Sequence, residues 1–201
     1  TLEAAERFVD EWDKVKKGKD MSRDDLQGRK LRLQGIELND KREYAKAEGI
    51  LRQALEISKQ LKDPVLEGGV RNNLGYALRL QEKLEESAKE FDTARRIAES
   101  QKDSLRAASY NLNLGDVLLK LDRTATAIDA YKRAEEQGRA ASKSNIEARA
   151  ILMQGLAQTR IVSTAPEPSQ RQEPIRLLEK AEKMFEQQGD DRNTGWALYH
   201  I

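Results

Sequence analysis

Few residues of this chain have the types and spacing needed for covalent or metal chemistry. His200 is the only histidine and there is no cysteine, so the chain cannot build a histidine cluster or a thiolate site for a metal. The carboxylates of Glu85 and Glu86 are adjacent in sequence, so on a helix they diverge instead of converging on a substrate. Gly68 and Gly69 are not followed by the Lys-Ser/Thr ending of a phosphate loop. We therefore expect no enzyme activity, no cofactor and no metal site.

Composition limits the class of protein and of partner. The chain has 201 residues, of which 36 are Lys or Arg and 35 are Asp or Glu, giving a net charge of +1. A nucleic-acid-binding domain would be expected to carry a clear basic excess, so no nucleic acid partner is expected. Charged residues make up 35% and aromatic residues 5%, a profile that favours amphipathic helices over strands. No apolar run reaches about 18 residues, so no transmembrane helix is expected. The compartment is unassigned, with the cytoplasm slightly favoured.

A glycine recurs with a fixed period. Gly35, Gly75 and Gly115 follow one another at a constant period of about 40 residues, and Gly155 continues the series. A repeat of this length is typical of an open stack of helix pairs, in which each pair buries its apolar stripe against its neighbours. Such stacks usually bind other protein chains. The period therefore indicates a helical repeat protein.

The residues around each glycine repeat as well. In the first unit, Ala47, Leu51 and Ala54 follow Gly35 at offsets of 12, 16 and 19. The equivalent residues are Ser87, Phe91 and Ala94 in the second unit and Ala127, Tyr131 and Ala134 in the third. Small residues let two helix axes approach closely, while the large apolar residue fills the space between them. We expect Asp63 and Asp103 to cap the helices that open the second and third units.

This pattern resembles the tetratricopeptide repeat, in a longer variety of roughly 40 residues. The family's usual period is about 34 residues, so each unit here adds about two turns of helix. The resemblance implies an all-α fold, a right-handed α-solenoid of antiparallel helix pairs. The expected organisation is an N-terminal amphipathic helix and linker at 1–22 followed by a repeat array at 23–201. The array divides into units at about 24–62, 63–102, 103–143 and 144–189, with a partial fifth helix at 190–201.

The fourth unit departs from the register. The offset from Gly155 to Ala181 is 26, where the earlier units have 19, because a segment rich in Pro, Ser and Gln is inserted at 163–172. We expect an exposed loop there, as a tolerated insertion or as a regulatory contact. Gly195 also falls one full period after Gly155, but the pattern favours a coincidence.

The resemblance also implies which residues face a ligand. In this family the first helix of each pair lines a concave groove, and the ligand-facing positions surround the anchor glycine. Carried onto this chain, they are Arg29, Arg32, Asn72, Asn73, Tyr76, Arg79, Ser109, Asn113, Asp116, Arg149 and Arg160. Asn73 and Asn113 occupy the position where the family's Asn side chains grip the backbone of a bound peptide. Hydrogen bonds between helices are the alternative for the Asn residues, and a solvated helix face is the alternative for the Arg residues.

These features predict a protein–protein interaction scaffold. We expect the groove to bind a peptide or helical segment of a partner, and the Arg residues favour an acidic partner, because guanidinium pairs with carboxylate through two hydrogen bonds. One alternative is a regulatory or sensor array that controls a protease-like or DNA-binding effector domain outside this sequence, which we interpret as a piece of a longer protein. Self-association through an open C-terminal helix is the other.

Overall fold

The computed structural model describes residues 22–162 and 172–200. The predicted N-terminal helix and linker at 1–22 lie outside these residues apart from Ser22. The predicted loop at 163–172 also lies outside them apart from Gln172, which is helical. The described part contains nine α-helices and no strand. They are α1 (Arg23–Asp40), α2 (Tyr44–Gln60), α3 (Pro64–Leu80), α4 (Leu84–Ser100), α5 (Ser104–Lys120), α6 (Thr124–Ala140), α7 (Ser144–Val162), α8 (Gln172–Gln187) and α9 (Asp191–His200). None of these helices is both long and apolar enough to cross a bilayer.

The turns between helices set the period. Six turns in the described part each hold one non-glycine residue in the left-handed conformation, with φ between 52° and 61°, at Arg42, Lys62, Glu82, Lys102, Asp122 and Ser142. These residues are spaced by 20, which is half of the repeat. The next residue donates its backbone N–H to a carbonyl in the last turn of the preceding helix, as Glu43 does to Leu38 at 2.8 Å. This is the bond pattern of a helix end that closes through a left-handed residue.

Side-chain caps fix two helix starts. Asp63 accepts hydrogen bonds from the backbone N–H groups of Val65 and Leu66, both at 3.0 Å, ahead of α3. Asp103 accepts from the N–H of Arg106 at 2.9 Å ahead of α5. The two predicted N-caps are thus confirmed, and each satisfies N–H groups that the first helical turn leaves without a partner.

The anchor glycines mark where two helices of a pair come closest. A Cβ atom placed on Gly115 would lie 2.4 Å from Cε1 of Tyr131. The equivalent distances are 2.5 Å from Gly35 to Leu51, 2.9 Å from Gly75 to Phe91 and 3.0 Å from Gly155 to Leu178. Real Cβ atoms essentially never show contacts below 3.0 Å, so a side chain at this position in the first three units would force the facing residue to move. The contact of Gly155 with Leu178 shows that the fourth unit keeps the same packing in spite of its insertion.

Ser87 stands where the other units have Ala, and the structure explains why it is accepted. It is fully buried, and its hydroxyl donates a hydrogen bond to the backbone carbonyl of Gly75 at 2.7 Å. The hydroxyl is therefore satisfied inside the core of the helix pair.

The described helices divide into two compact units, one within residues 1–97 and the other within residues 98–201. In unit 1, α2 packs against both α1 and α3, and the buried residues of these helices form one apolar core that includes Leu51, Leu66 and Leu74. In unit 2, α5 packs on α6, α6 on α7, α7 on α8 and α8 on α9. The core at α7, α8 and α9 includes Ile151, Leu178 and Phe185. The all-α fold of stacked antiparallel helix pairs is confirmed.

Candidate functional site

The first helices of successive pairs provide the candidate binding surface in each unit. We call this surface the first-helix face: α1 and α3 in unit 1, and α5, α7 and α9 in unit 2. Consecutive first helices touch each other, α1 with α3 and α5 with α7. In unit 1 the face carries six of the residues predicted to meet a ligand, and in unit 2 it carries the other five.

On α3, an aromatic ring and a guanidinium lie together. Tyr76 is 37% exposed, and the guanidinium carbon of Arg79 lies 5.2 Å from the centre of its ring. A cation over the face of an aromatic ring is attracted by the ring's electron density. The pair therefore presents an ordered apolar plane with a positive charge beside it, an arrangement suited to contact with a peptide.

Asn73 lies next to this pair and has an unsatisfied donor. Its backbone carbonyl accepts a hydrogen bond from Nδ2 of Asn39 at 3.2 Å, and its Oδ1 accepts from Nδ2 of Asn72 at 3.5 Å. Its own Nδ2 is buried and has no acceptor among the described atoms. A buried donor left in this state costs about 1–3 kcal/mol. The structure thus shows a helix contact through the backbone and a buried side-chain donor without an acceptor among the described atoms.

Two predicted residues of α1 serve the packing of α1 on α3. Arg29 forms ion pairs with Asp25 at 2.7 Å and with the capping residue Asp63 at 2.9 Å. The guanidinium of Arg32 lies across Gly69, since a Cβ on that glycine would be 3.0 Å from the guanidinium carbon. Both arginines are half-buried. The predicted role of Arg29 as a ligand contact therefore competes with an internal role.

In unit 2, Asp116 is also engaged within the fold. It accepts a hydrogen bond from the hydroxyl of Tyr131 at 2.9 Å and forms an ion pair with Arg149 at 3.4 Å. Burial and the nearby Asp116 carboxylate raise the pKa of Tyr131, so the phenol stays protonated and acts as a donor. The hydroxyl of Ser109 donates to the carbonyl of Leu105 one turn earlier, at 3.1 Å. The side chain of Asn113 is half-buried on the same helix.

Arg160 lies at a pocket of about 380 Å³ between the first helices of unit 2. The walls are contributed by Leu119 of α5, by Met153, Leu156, Thr159 and Arg160 of α7, and by Trp196 and His200 of α9. Arg160, the last of the predicted ligand-facing residues, therefore lies beside an apolar surface.

In the described ranges, no group of three or more His, Asp or Glu side chains is arranged to hold a metal ion.

Comparison with known families identifies the repeats. A tetratricopeptide repeat family model matches residues 66–140, which begin in α3 and end with α6. Residues 66–140 therefore carry tetratricopeptide repeats. Known structures share the helical-repeat fold over a longer part of the sequence.

Three solved structures illustrate the likeness. The Signal Transduction ATPase with Numerous Domains protein with a tetratricopeptide repeat sensor, from Pyrococcus horikoshii, is 15% identical, with a TM-score of 0.77 over 98% of this chain and 29% of that chain. A Rap protein complexed with Competence and Sporulation Factor is 17% identical, with a TM-score of 0.59 over 86% of this chain and 50% of that one. The apo form of the quorum sensor NprR from B. thuringiensis is 15% identical, with a TM-score of 0.56 over 99% and 59%.

These comparisons establish the tetratricopeptide fold and leave the ligand open. The three identities are only 15% or 17%, and the chain spans between 29% and 59% of the length of these three proteins. A search of curated protein sequences gave no match.

Within the tetratricopeptide array, sequence reasoning missed Asn39, Trp196 and His200 as members of the first-helix face. The numbering could have indicated Asn39, since contacts between consecutive first helices join residues whose numbers differ by 33 or 34. Arg29 with Asp63, Asn39 with Asn73 and Asp116 with Arg149 all follow this rule. The sequence pattern places Trp196 only in the partial fifth helix at 190–201.

Proposed function

We propose that this tetratricopeptide array is a non-enzymatic interaction module whose first-helix face binds a peptide or helical segment of a partner protein. The repeat architecture predicts this face to be the concave one. Ligand contact would combine hydrogen bonds to the partner's backbone with apolar and charged contacts to its side chains.

The observation that carries the proposal is the group formed by Asn73, Tyr76 and Arg79 on α3. The Nδ2 donor of Asn73 is buried without an acceptor among the described atoms, and turning this side chain outward to a peptide carbonyl would satisfy it. Tyr76 adds an exposed ring that loses little conformational entropy on binding, and Arg79 adds a positive charge beside that ring. This short stretch of one helix thus offers three kinds of contact to the same segment.

The named neighbours support a binding role without identifying a ligand. One Rap structure is described as complexed with Competence and Sporulation Factor, and the Pyrococcus protein is described as having a repeat sensor. We extend to this chain only the class of activity, recognition of another molecule by the array. The positive charges on the face favour an acidic segment.

A sensor array that regulates an effector domain is the second candidate. The observation that favours it is the likeness to the Pyrococcus protein, which is described as a signal transduction ATPase with a tetratricopeptide repeat sensor. In that arrangement the first-helix face would hold a segment of the chain's own effector domain until a signal releases it.

Selection of a displayed random peptide library against the 201-residue chain tests the proposed function. The affinities of the selected peptides are then compared for the native protein and for Asn73→Ala and Tyr76→Ala by fluorescence anisotropy. We expect each substitution to weaken binding by about tenfold, equivalent to about 1.4 kcal/mol. Gln53→Ala, on the exposed side of α2, is the matched control and should not change the affinity.

Stability separates binding from folding in this test. Because Asn73→Ala removes a buried donor without an acceptor and introduces a better helix former, the variant should unfold at the same or a higher urea concentration than the native chain. Weaker peptide binding with undiminished stability supports a ligand contact. A loss of stability with unchanged binding would show that Asn73 only holds helices together, and failure to select any peptide would overturn the proposed function.

A further inference from the structure

The pocket in unit 2 has features that the proposed function does not explain. Its volume of about 380 Å³ lies at the low end of the range for ligand pockets, about 300–1,000 Å³. The three first helices of unit 2 each contribute apolar side chains to it, chiefly Leu119, Leu156 and Trp196. We call it the α9 pocket, because α9 forms one wall.

The aromatic wall of the α9 pocket is partly open to solvent. Trp196 remains 46% exposed. The ring of His200 meets it edge to face, with the ring centres 5.1 Å apart, and meets Tyr199 in the same way at 5.0 Å. The imidazole is thus held between two aromatic rings at the rim. A pocket whose walls are already arranged loses little entropy when an apolar side chain enters it.

The side chains that line the pocket include basic groups and no acidic ones. Arg149, Met153, Leu156 and Arg160 follow each other on α7 at spacings of four, three and four, so they share one helix face. Two guanidinium groups therefore flank two apolar side chains, and that of Arg149 is already paired with Asp116. Among the residues that line the pocket none is acidic, while Arg160 is positive and His200 can donate a hydrogen bond. The hydroxyl of Thr159 is directed back to the carbonyl of Gly155 at 2.9 Å, so it is already satisfied.

We propose that the α9 pocket anchors a partner peptide through a bulky apolar side chain that has a carboxylate beside it. The apolar side chain would cover Trp196, Leu156 and Leu119, and the carboxylate would meet Arg160 and His200 at the rim. A pairing of this kind combines burial of apolar area with a charge-assisted hydrogen bond. The inference rests on the proposed function and adds the chemistry of the segment that this part of the face selects.

The test uses short fluorescein-labelled peptides of Gly and Ser that contain one Phe-Asp pair, with Ala-Asp and Phe-Lys peptides as matched probes. We expect the Phe-Asp peptide to bind at least about tenfold more tightly than either probe. In the native protein, the single imidazole signal of His200 in an NMR spectrum should shift as this peptide is added, because the chain has no other histidine.

Substitutions in the pocket provide a second test of the inference. Trp196→Ala removes the aromatic wall and Arg160→Glu reverses the charge at the rim, and each should weaken binding of the Phe-Asp peptide by about tenfold or more. Arg160→Glu should also improve binding of the Phe-Lys peptide. Arg133→Glu makes the same charge change on the exposed surface of α6 and should leave affinity within about twofold. If Trp196→Ala fails to fold, the peptide affinity of Arg160→Glu and the His200 signal of the native protein still test the inference.

Other outcomes overturn the inference. A Phe-Asp peptide that gives no His200 shift at about 1 mM, or that binds Arg160→Glu as well as the native chain, excludes this anchor. Equally tight binding of free 3-phenylpropionate would assign the pocket to a small carboxylic acid. A His200 shift that depends on protein concentration alone, with a matching increase in mass by light scattering, would assign it to a second copy of the chain. Library peptides that lose affinity with Asn73→Ala and keep it with Trp196→Ala would overturn the pocket inference and leave the proposed function intact.

Discussion

Single charged residues show how strongly the repeat stack depends on contacts between neighbouring helices. Glu48 on α2 has a side chain that is only 13% exposed, and it accepts hydrogen bonds from Arg52 and Lys83 at 2.8 Å and from Gln81 at 2.9 Å. Burial alone would raise the pKa of Glu48, but the hydrogen bonds from Lys83, Arg52 and Gln81 outweigh it and lower the pKa to about 2. The ionised carboxylate thus links α2 to the turn after α3.

This linkage predicts a specific pH dependence of stability. A carboxylate whose pKa is lower in the folded state stabilises the fold above its ordinary pKa of 4.5 and loses that contribution as pH falls towards about 2. Glu48→Gln should lower the free energy of unfolding by about 1–2 kcal/mol at pH 7, and the difference from the native chain should shrink steadily below pH 4.5. Urea unfolding at pH 7, 5, 4 and 3 measures this difference.

The control for this pH series is Glu56→Gln on the same helix. The side chain of Glu56 is 66% exposed, and the described residues give it one local ion pair, with Lys59 at 2.8 Å, so its substitution should have little effect at any of these pH values. A deficit in Glu48→Gln that stays constant from pH 7 to pH 3 would contradict the assigned role of the carboxylate.

The roles of individual residues could be predicted least well from the sequence. Arg29, Asp116 and Arg149 were predicted on the ligand-facing side, and each has an internal ion pair or hydrogen bond. The repeat pattern specifies which helix face a residue occupies. It does not specify whether an opposite charge lies on the next first helix, because that depends on a residue 33 or 34 positions away whose type varies from unit to unit.

Helices and their contacts were predicted much more completely. The spacing of small and large residues around Gly35, Gly75 and Gly115 requires close packing of two helices, and the structure has this contact in each case. The inserted segment of the fourth unit shifted the offset from 16 to 23, yet Leu178 still packs on Gly155. The pattern was informative because a close approach between helices allows few residue types.

The close approach at Gly115 can be tested by a single methyl group. In Gly115→Ala the new Cβ would lie 2.4 Å from Tyr131, which is fully buried and held through its hydroxyl by Asp116, so the ring has little room to move. We expect a loss of about 1–3 kcal/mol in the free energy of unfolding, in spite of the better helix propensity of Ala. The midpoint of urea unfolding measures the change.

Gly49→Ala is the matched control, since Gly49 is exposed in the interior of α2 and a Cβ there meets no atom within 4 Å. This variant should gain about 0.5–1 kcal/mol, because Ala is the better helix former and nothing obstructs it. Both substitutions replace Gly with Ala, and the changes they cause in the free energy of unfolding should have opposite signs. A stabilising Gly115→Ala would mean that the helix pair can separate without cost.

At the scale of the whole molecule, each of the two units has an apolar core among its described residues. Residues of α1, α2 and α3 share one core in unit 1, and residues of α7, α8 and α9 share another in unit 2. In a stack of repeats, stability is approximately the sum of the intrinsic stabilities of the units and of the contacts between nearest neighbours. Damage to one core should therefore have an effect that is largely local.

A reciprocal pair of core substitutions tests this expectation. Phe185 in unit 2 is 2% exposed and Leu51 in unit 1 is fully buried, so Phe185→Ala and Leu51→Ala should each cost about 2–5 kcal/mol in their own core. Hydrogen exchange followed by mass spectrometry should show faster exchange in α7, α8 and α9 for Phe185→Ala, with protection in α1, α2 and α3 nearly unchanged, and the reverse for Leu51→Ala. Equal loss of protection in all helices for both variants would show one cooperative unit. A local response would instead mean that a partner could order or release one part of the first-helix face while the other part stays folded.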